Sequence, residues 1–418
     1  GLGDVYKRQA QRWRERLLAL PDVTAVLPTG VLRRFAETVA EIALVVVTPH
    51  QERFQKVLRR EMPEFTAESG TRYTARDQRG IRIRLELAST ENAGWILLVT
   101  TGSDAFIEAV FEEFRARGFE PAAQALSHRG RAVPLRTEDE VFALLQLPVI
   151  PPELREEAEL LARVRRSGLP SLVRREELQG MLHVHSTWSD GKASIRHMAH
   201  AAKELGYRYI AICDHSPSAY YAGGLDRERL VQQHREIERL NAENLGITIL
   251  KGAEVDIRPD GTLDYPDEVL DQLEVVVASV HSHFRQSAQE MTARILRALE
   301  HPRVQILGHA TGRLLLSREP YELDLEAVLQ TALRLGKVIE FNAQPYRFDV
   351  SWEVLRRWQA RGLKIAINPD AHAVAELAYT DFGVMFARKA LFPPEQVINT
   401  WSLEQFREFC ARKEATNT

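Results

Sequence analysis

Cysteine is nearly absent. The 418-residue chain carries two, Cys213 and Cys410, which leaves no disulfide framework of the kind that staples small secreted domains. No apolar run approaches the ~20 residues that span a bilayer, and no signal-peptide pattern appears, so the expected location is cytoplasmic, without membrane contact. Charge of one sign is scarce too: a net charge of −3 argues against strong non-specific nucleic-acid binding by the chain as a whole. Internal repeats and low-complexity tracts are missing. What remains, at 44% hydrophobic, is enough for sizeable cores in two or three domains of an enzyme-like chain.

Against that background stand nine potential metal ligands, each read just beyond a short apolar run: His183, His185, Asp190, His215, Glu254, His281, His309, Asp370 and His372. The runs at 209–213, 247–250, 275–280, 304–307 and 365–367 read as strands. Side chains two apart on a strand share a face, so His183 and His185 are expected to point together, with Leu182 and Val184 opposite. Asp370 and His372 repeat the spacing. Segments 195–205, 226–240, 288–299, 323–335 and 352–359 carry apolar residues at helical spacing. With a further strand at 338–341, seven strands alternate with helical connections, the pattern of parallel βαβ units in a closed or nearly closed barrel. Ligands at the carboxyl ends of such strands converge on one mouth.

Imidazole with carboxylate, and no thiolate, suits zinc, manganese or iron. Six histidines and three carboxylates exceed the needs of one ion, so two or three divalent metal ions are expected, with Glu254 a natural bridge. Any one such histidine, taken alone, reads more readily as a hydrogen-bonded structural residue. Nine at matching strand ends reverse that reading. His50, His128, His197, His200, His234 and His301 fall at unmatched positions and read as surface or packing residues, while His283, two beyond His281, reads as a supporting neighbour of the ligands.

The motifs HVHSTWSDG (183–191), CDHS (213–216), GAEVDI (252–257), SVHSHF (279–284), GHATGR (308–313) and PDAH (369–372) resemble, in order, those of the PHP (polymerase and histidinol phosphatase) superfamily, over about residues 178–415. The resemblance implies a distorted (β/α)7 barrel with a trinuclear site. One ion would take His183, His185, Glu254 and Asp370, a second Asp190, His215 and His372, and a third Glu254, His281 and His309. The stretches 308–324 and 339–350 resemble most closely the PHP domain fused to bacterial family X DNA polymerases, where Arg313, Asn342 and Arg347 occupy matching positions. An arginine beside a metal cluster supplies bidentate donors for phosphate, and Lys192 offers a point charge; rim salt bridges are the alternative for these cations.

The amino-terminal half resembles the polymerase module of that fusion, an α+β nucleotidyltransferase-like palm and thumb. LPTGVLRRFAETVAEIALVVV (27–47) is similar to the palm signature whose Gly-Ser pair cradles triphosphate and whose Gly-Asp-x-Asp run holds two ions. Here Gly30-Val31 and Ala40-Glu41-Ile42-Ala43 stand instead, and in GIRIRLELAS (80–89) the third carboxylate position is Arg84. A guanidinium at an ion site inverts the local charge, and a lone Glu41 cannot hold two magnesium ions, so nucleotidyl transfer is expected to be lost. Segments 100–119 and 137–156 still resemble the thumb and its exit. The expected spans are a palm over 10–95, a thumb-like region over 96–150, a linker over 151–179 marked by Pro151-Pro152 and Gly168-Leu169-Pro170, and the barrel over 180–418. Residues 1–9 read as foreign to the rest, and no helix-hairpin-helix or fingers region precedes the palm.

The leading expectation is a metal-dependent phosphoesterase acting on DNA 3′ ends or another phosphate ester, for which the resemblance implies 3′–5′ exonuclease, 3′-phosphatase or abasic-site cleavage in DNA repair. A small-molecule phosphatase of histidinol-phosphate type is the alternative. A non-catalytic module binding DNA or a partner would predict eroded ligands, and all nine stand. Arg163, Arg165, Arg166, Arg174 and Arg175 are a possible DNA contact in the linker, though such a helix face is usually only solvated. Protein partners are not legible.

Overall fold

Seven short parallel strands organise the carboxy-terminal half in the computed structural model, which describes residues 2–411. They are β1 (Gly180–Val184), β2 (Tyr209–Ile212), β3 (Thr248–Asp256), β4 (Val275–Ser279), β5 (Ile306–Leu307), β6 (Val338–Asn342) and β7 (Ile365–Asn368). They pair in sequence order, each parallel to the next. A further parallel bridge, Val184 to Ala371, brings the last strand back to the first, so the sheet is a nearly closed barrel. Residues 412–418, assigned to the barrel from the sequence, and residue 1 lie outside the described residues.

The helices between strands begin where the sequence supplies caps. Ser194 accepts from the His197 N–H at the start of Ile195–Glu204, and Asp226 from Arg229 at the start of Arg227–Ala242. Ser287 and Glu290 form a reciprocal capping box ahead of Ala288–Leu299. The apolar faces of these helices, with Ile210, Ile212, Ile249, Val276, Ala278, Ile339 and Ile365, make the layer outside the barrel. The alternate strand residues Tyr209, Ala211, Leu250, Val275, Val277, Ile306, Val338 and Ala366 fill the inside, with Phe406 and Ile398 packed against them.

One position departs from strict alternation. The register between β1 and β2 shifts between Ile210 and Ile212: Ile210 faces Met181 and Ile212 faces Val184, so Leu182 and His183 together oppose Ala211. This is a bulge, and it turns Leu182 inward among Ala211 and Cys213 while Val184 packs outward. The expectation that Leu182 and Val184 share the face opposite His183 is thereby corrected: the extra residue breaks the two-residue period. His183 and Glu254 also lie inside β1 and β3 rather than beyond them.

The seam between β1 and β7 is sewn by one side chain. Asn399 donates from Nδ2 to the carbonyls of Gly180 (3.0 Å) and Ile367 (2.9 Å), while its Oδ1 accepts from Ile367 N–H. At the opposite end the His185 N–H donates to Ala371 O at 2.9 Å.

The chain up to Pro170 forms a second compact unit. Its five-stranded sheet runs Ala25–Thr29, Glu41–Val47, Arg82–Ala88, Arg72–Arg76, Thr66–Ala67, with Glu41–Val47 parallel to Arg82–Ala88. Residues 2–9, set apart in the sequence, belong to the helix Leu2–Leu18. Beyond the sheet come helices Ala93–Thr101 and Asp104–Arg115, a small antiparallel sheet over 119–132, and helix Glu138–Leu145. The unit includes helix Glu159–Ser167 from the stretch read as linker. There Arg165 pairs with Glu113 at 2.8 Å; Arg174 and Arg175, beyond the unit boundary, pair with Glu177 and Asp381 at 3.0 Å each. No helix among the described residues is long and apolar enough to cross a membrane.

Candidate metal centre

All nine sequence-predicted ligands meet at the carboxyl ends of the barrel strands. Their donor atoms form three groups, each within 4.8 Å: His185, Asp190, His215 and His372; His183, His185, Glu254 and Asp370; and His215, Glu254 and His281. His309 joins beside the last, its Nε2 2.9 Å from Glu254 Oε1. Glu254 stands in the middle: one oxygen faces His281 (3.2 Å) and His309, the other His183 (3.4 Å) and His185 (3.5 Å).

Local sequence explains how the less obvious members arrive. Asp190 follows β1 by a tight turn in which Gly191 N–H donates to Ser186 O at 2.9 Å. A Cβ on Gly191 would sit 2.7 Å from the backbone of His185 and Ser186, so only glycine lets that turn fold back onto the strand end. Asp214, beside His215, pins the same loop by accepting from Ser186 N–H (2.7 Å) and the Ser189 hydroxyl (2.6 Å).

Two carboxylates that the sequence reading passed over orient the imidazoles. Glu340, fully buried on β6, accepts from His183 Nδ1 at 2.6 Å, Asn368 Nδ2 at 3.0 Å and His309 N–H at 2.8 Å. Asp256 accepts from His281 Nδ1 at 2.7 Å. Backbone does the same for His372, whose Nδ1 donates to Asp370 O at 3.0 Å. In each case the other nitrogen, Nε2, faces a carboxylate of the cluster, and it is the atom such an imidazole would offer a metal ion once its proton has left. A signal for both carboxylates existed: each lies two residues from a named position, Asp256 after Glu254 and Glu340 before Asn342, on the same strand face.

The donor set fits divalent ions by its own chemistry. Ring nitrogens of His183 and His185 face each other across 3.2 Å, and the Nδ1 atoms of His185, His215 and His309 are buried without a hydrogen-bond partner. His215 Nδ1 lies 3.1 Å from Glu254 Oε2 but lacks hydrogen-bond geometry. Five acidic groups crowd the site, Asp190, Glu254, Asp256, Glu340 and Asp370, and Arg347 stands 3.7 Å from Asp370. Cations between the rings would balance these carboxylates and take the place of the ring protons that otherwise do so.

The protein's own field splits the rings. Burial is the largest influence on each, but carboxylates override it at His183, raised well above 6.5, at His281, pushed up to about 10, and at His372, up to about 9. Burial prevails at His215, lowered to about 4. Against burial, surrounding imidazoles hold Glu254 and Asp370 well below the usual range and Asp190 at about 2. All three carboxylates are therefore anionic at neutral pH.

The remaining candidates differ in placement. Asn342 is buried and donates from Nδ2 to Asp370 Oδ2 at 3.0 Å and Glu340 Oε2 at 3.2 Å, fixing Asp370. Arg347 faces the cluster with one buried guanidinium nitrogen, Nη1, unpartnered. Arg313 turns to backbone carbonyls, those of Arg347 (2.9 Å) and Phe348, and so clamps the loop that carries Arg347. Lys192 is exposed and meets the cluster through its backbone N–H, which donates to His372 O at 2.6 Å. His283 is exposed and bonds Ser282.

In the amino-terminal unit, Arg84 donates to Glu41 at 2.8 Å and to Glu86 at 2.7 Å. Glu41 is thus not alone, since Glu86, buried and also held by Arg72 at 2.6 Å, shares the face. The guanidinium occupies the space between the two carboxylates and reaches Gly30, where a Cβ would stand 3.6 Å from Arg84 Nη2.

Comparison with known proteins matches these two units separately and together. A PHP domain family matches residues 181–361 and a DNA polymerase beta thumb family residues 96–156. Over 414 residues the chain is 34% identical to the DNA polymerase/3′-5′ exonuclease PolX of Bacillus subtilis (strain 168), covering 97% of this chain and 72% of that protein. It is 26% identical over 258 residues to the probable phosphatase TTE1963 of Caldanaerobacter subterraneus subsp. tengcongensis, covering 57% of this chain and 94% of that one. A probable phosphatase of Caldicellulosiruptor saccharolyticus is 31% identical over 238 residues, 54% of this chain and 93% of the relative.

Proposed function

Given that the chain belongs to the PolX family, family X DNA polymerases that carry a PHP domain, we propose that its barrel hydrolyses phosphate esters at DNA 3′ ends. The activity would be that of a 3′–5′ exonuclease, 3′-phosphatase or abasic-site nuclease, and the polymerase module would be inactive. The observation that carries this reading is the overlap of the three donor groups, which share His185, His215 and Glu254 and so fit two or three ions side by side. The donor chemistry favours zinc, manganese or iron.

The nine residues would hold divalent ions, which when bound would supply water activation near neutral pH, with a water pKa of about 7, and neutralisation of charge on phosphoryl oxygens. The chain does the rest. Glu340, Asp256 and the Asp370 carbonyl fix three imidazoles by their Nδ1 atoms. Asn342 holds Asp370 in place. Arg347, held by the Arg313 clamp, sets a guanidinium beside Asp370, where its charge would draw a substrate phosphate to the cluster. Lys192, on the exposed loop beside His372, adds positive charge at the rim.

Loss of nucleotidyl transfer is supported by the Arg84 ion pairs, which neutralise the carboxylates a magnesium pair would need. A second reading, a small-molecule phosphatase, draws on the relatives that match the barrel alone. The test uses 3′-labelled single-stranded and recessed-end DNA with metal-stripped protein, manganese or zinc being restored, and histidinol phosphate alongside. Metal-dependent release of nucleotides is the expected result. Phosphate released only from the small monoester would sink the DNA reading.

A further inference from the structure

The loop between β2 and helix Arg227–Ala242 places two tyrosines in water beside the metal centre. Tyr220 is 85% exposed and Tyr221 64%, and they form a single helical turn, Tyr220–Ala222, with ring centroids 6.0 Å apart and planes at 80°. One exposed aromatic is ordinary on any surface, but an adjacent pair on a firmly held loop is not. The loop is held at both ends. Leu225 N–H donates to the carbonyl of the ligand His215 at 2.8 Å, and Gly224 N–H to Ala219 O at 3.1 Å. Arg229 donates to Gly223 O at 2.8 Å and also to Trp188 O, two residues before the ligand Asp190. The tyrosines are therefore fixed relative to two of the metal-binding loops.

Electrostatics agrees with that placement. The Tyr221 hydroxyl is pushed up to about 12, first by burial and then by Asp256, Glu254 and Asp190, and Arg347 acts on it in the opposite sense. Tyr221 and Arg347 also act on Arg318, whose guanidinium lies 4.4 Å over the Phe284 ring. Arg347 is thus close enough to Tyr221 and to Arg318 to act on both. A small phosphomonoester such as histidinol phosphate carries one ring at most, too little to cover both tyrosines. A strand of unpaired nucleotides has both parts: phosphates for Arg347, and base faces for the tyrosines.

We propose that Tyr220 and Tyr221 form a base-stacking subsite that holds the unpaired end of a nucleic-acid strand while its terminal phosphodiester lies over the nine donors. The inference rests on the phosphoesterase reading given above and names the residues that select the substrate. Stacking of this kind tolerates any base sequence, because every base has a π-face.

The test is steady-state hydrolysis of a single-stranded thymidine oligonucleotide by the full, metal-loaded chain. The double variant Tyr220→Ala, Tyr221→Ala should lose about tenfold or more in kcat/KM, carried by KM. The double variant Tyr220→Phe, Tyr221→Phe keeps the rings and should stay close to the parent. Thermal melting of both should match the parent, since these side chains stand in water. An unchanged KM in the alanine variant overturns the subsite, and so does an equal loss in the phenylalanine variant. If the parent protein cleaves no oligonucleotide at all, the phosphodiesterase reading itself fails, an outcome separate from either.

Discussion

His183 donates Nδ1–H to Oε1 of Glu340 at 2.6 Å, and both side chains are fully buried. Burial alone would raise the Glu340 carboxyl, but the His183 charge and hydrogen bond hold it below its ordinary value. The pair sets which nitrogen of His183 faces the cluster. Glu340→Gln keeps the volume and removes the charge, and metal affinity should fall about 10- to 100-fold. Competition against a chelating dye measures it, and an unaltered affinity would remove Glu340 from the site's support.

Asp370 and His183 belong to the same four-donor group. His183→Ala and Asp370→Ala should each abolish hydrolysis while leaving the far-ultraviolet dichroism of the barrel unchanged. Rates equal to the parent's would mean that the chemistry lies elsewhere.

Metal removal should be visible without any substrate. Ions bound to the folded barrel at about 1,000 times their dissociation constant add about 4 kcal/mol of stability. Chelation followed by a urea melt should show a loss of that order, restored by adding manganese or zinc. The expected loss is larger than any single ligand hydrogen bond could give.

In the polymerase-like unit, Arg84→Ala leaves Glu41 and the buried Glu86 without their shared partner. The unit should lose about 1–3 kcal/mol in a urea melt, tempered by the remaining Arg72 contact to Glu86. The parent protein should incorporate no nucleotide on a gapped duplex with magnesium or manganese. Incorporation would show that the palm works despite Arg84.

Glu138 gives a pH signature. Burial would raise its pKa, but hydrogen bonds and charge from Arg33 (2.8 Å) and Arg155 (3.1 Å) lower it below 4.5. A depressed carboxyl contributes stability that is complete above the unfolded value and is lost as pH falls through the lower folded one. The parent unit should therefore weaken below about pH 4.5. Glu138→Gln should be less stable at pH 7 and lack this component on acidification, as read by urea midpoints across the range.

Much of the barrel was legible because its signals are local. Apolar runs of strand length marked all seven strands, and the histidines at their ends marked the cluster, since both depend on residues close in sequence. What escaped depends on pairing between strands. The bulge at Leu182 and His183 is a relation between β1 and β2, and no composition within 180–185 announces it. Glu340 escaped for a similar reason: in Val338–Asn342 it reads as a strand residue facing inward, and its role appears only when β1 delivers His183 to it. In the palm, Arg84 against Glu41 was readable from substitution at matching positions, whereas Glu86 as a second partner was not.

The seam between β1 and β7 bears on how the protein is made. His183 and His185 come from the first strand of the barrel, and Asp370 and His372 from just beyond the last, with Asn399 later still closing the gap between them. About 185 residues separate the two halves of one four-donor group. A ribosome must therefore have made the chain through residue 370 before that group exists. Products stalled or clipped ahead of β7 would carry most of the histidines and the group of His215, Glu254 and His281, and still be unable to assemble the four-donor group that needs Asp370.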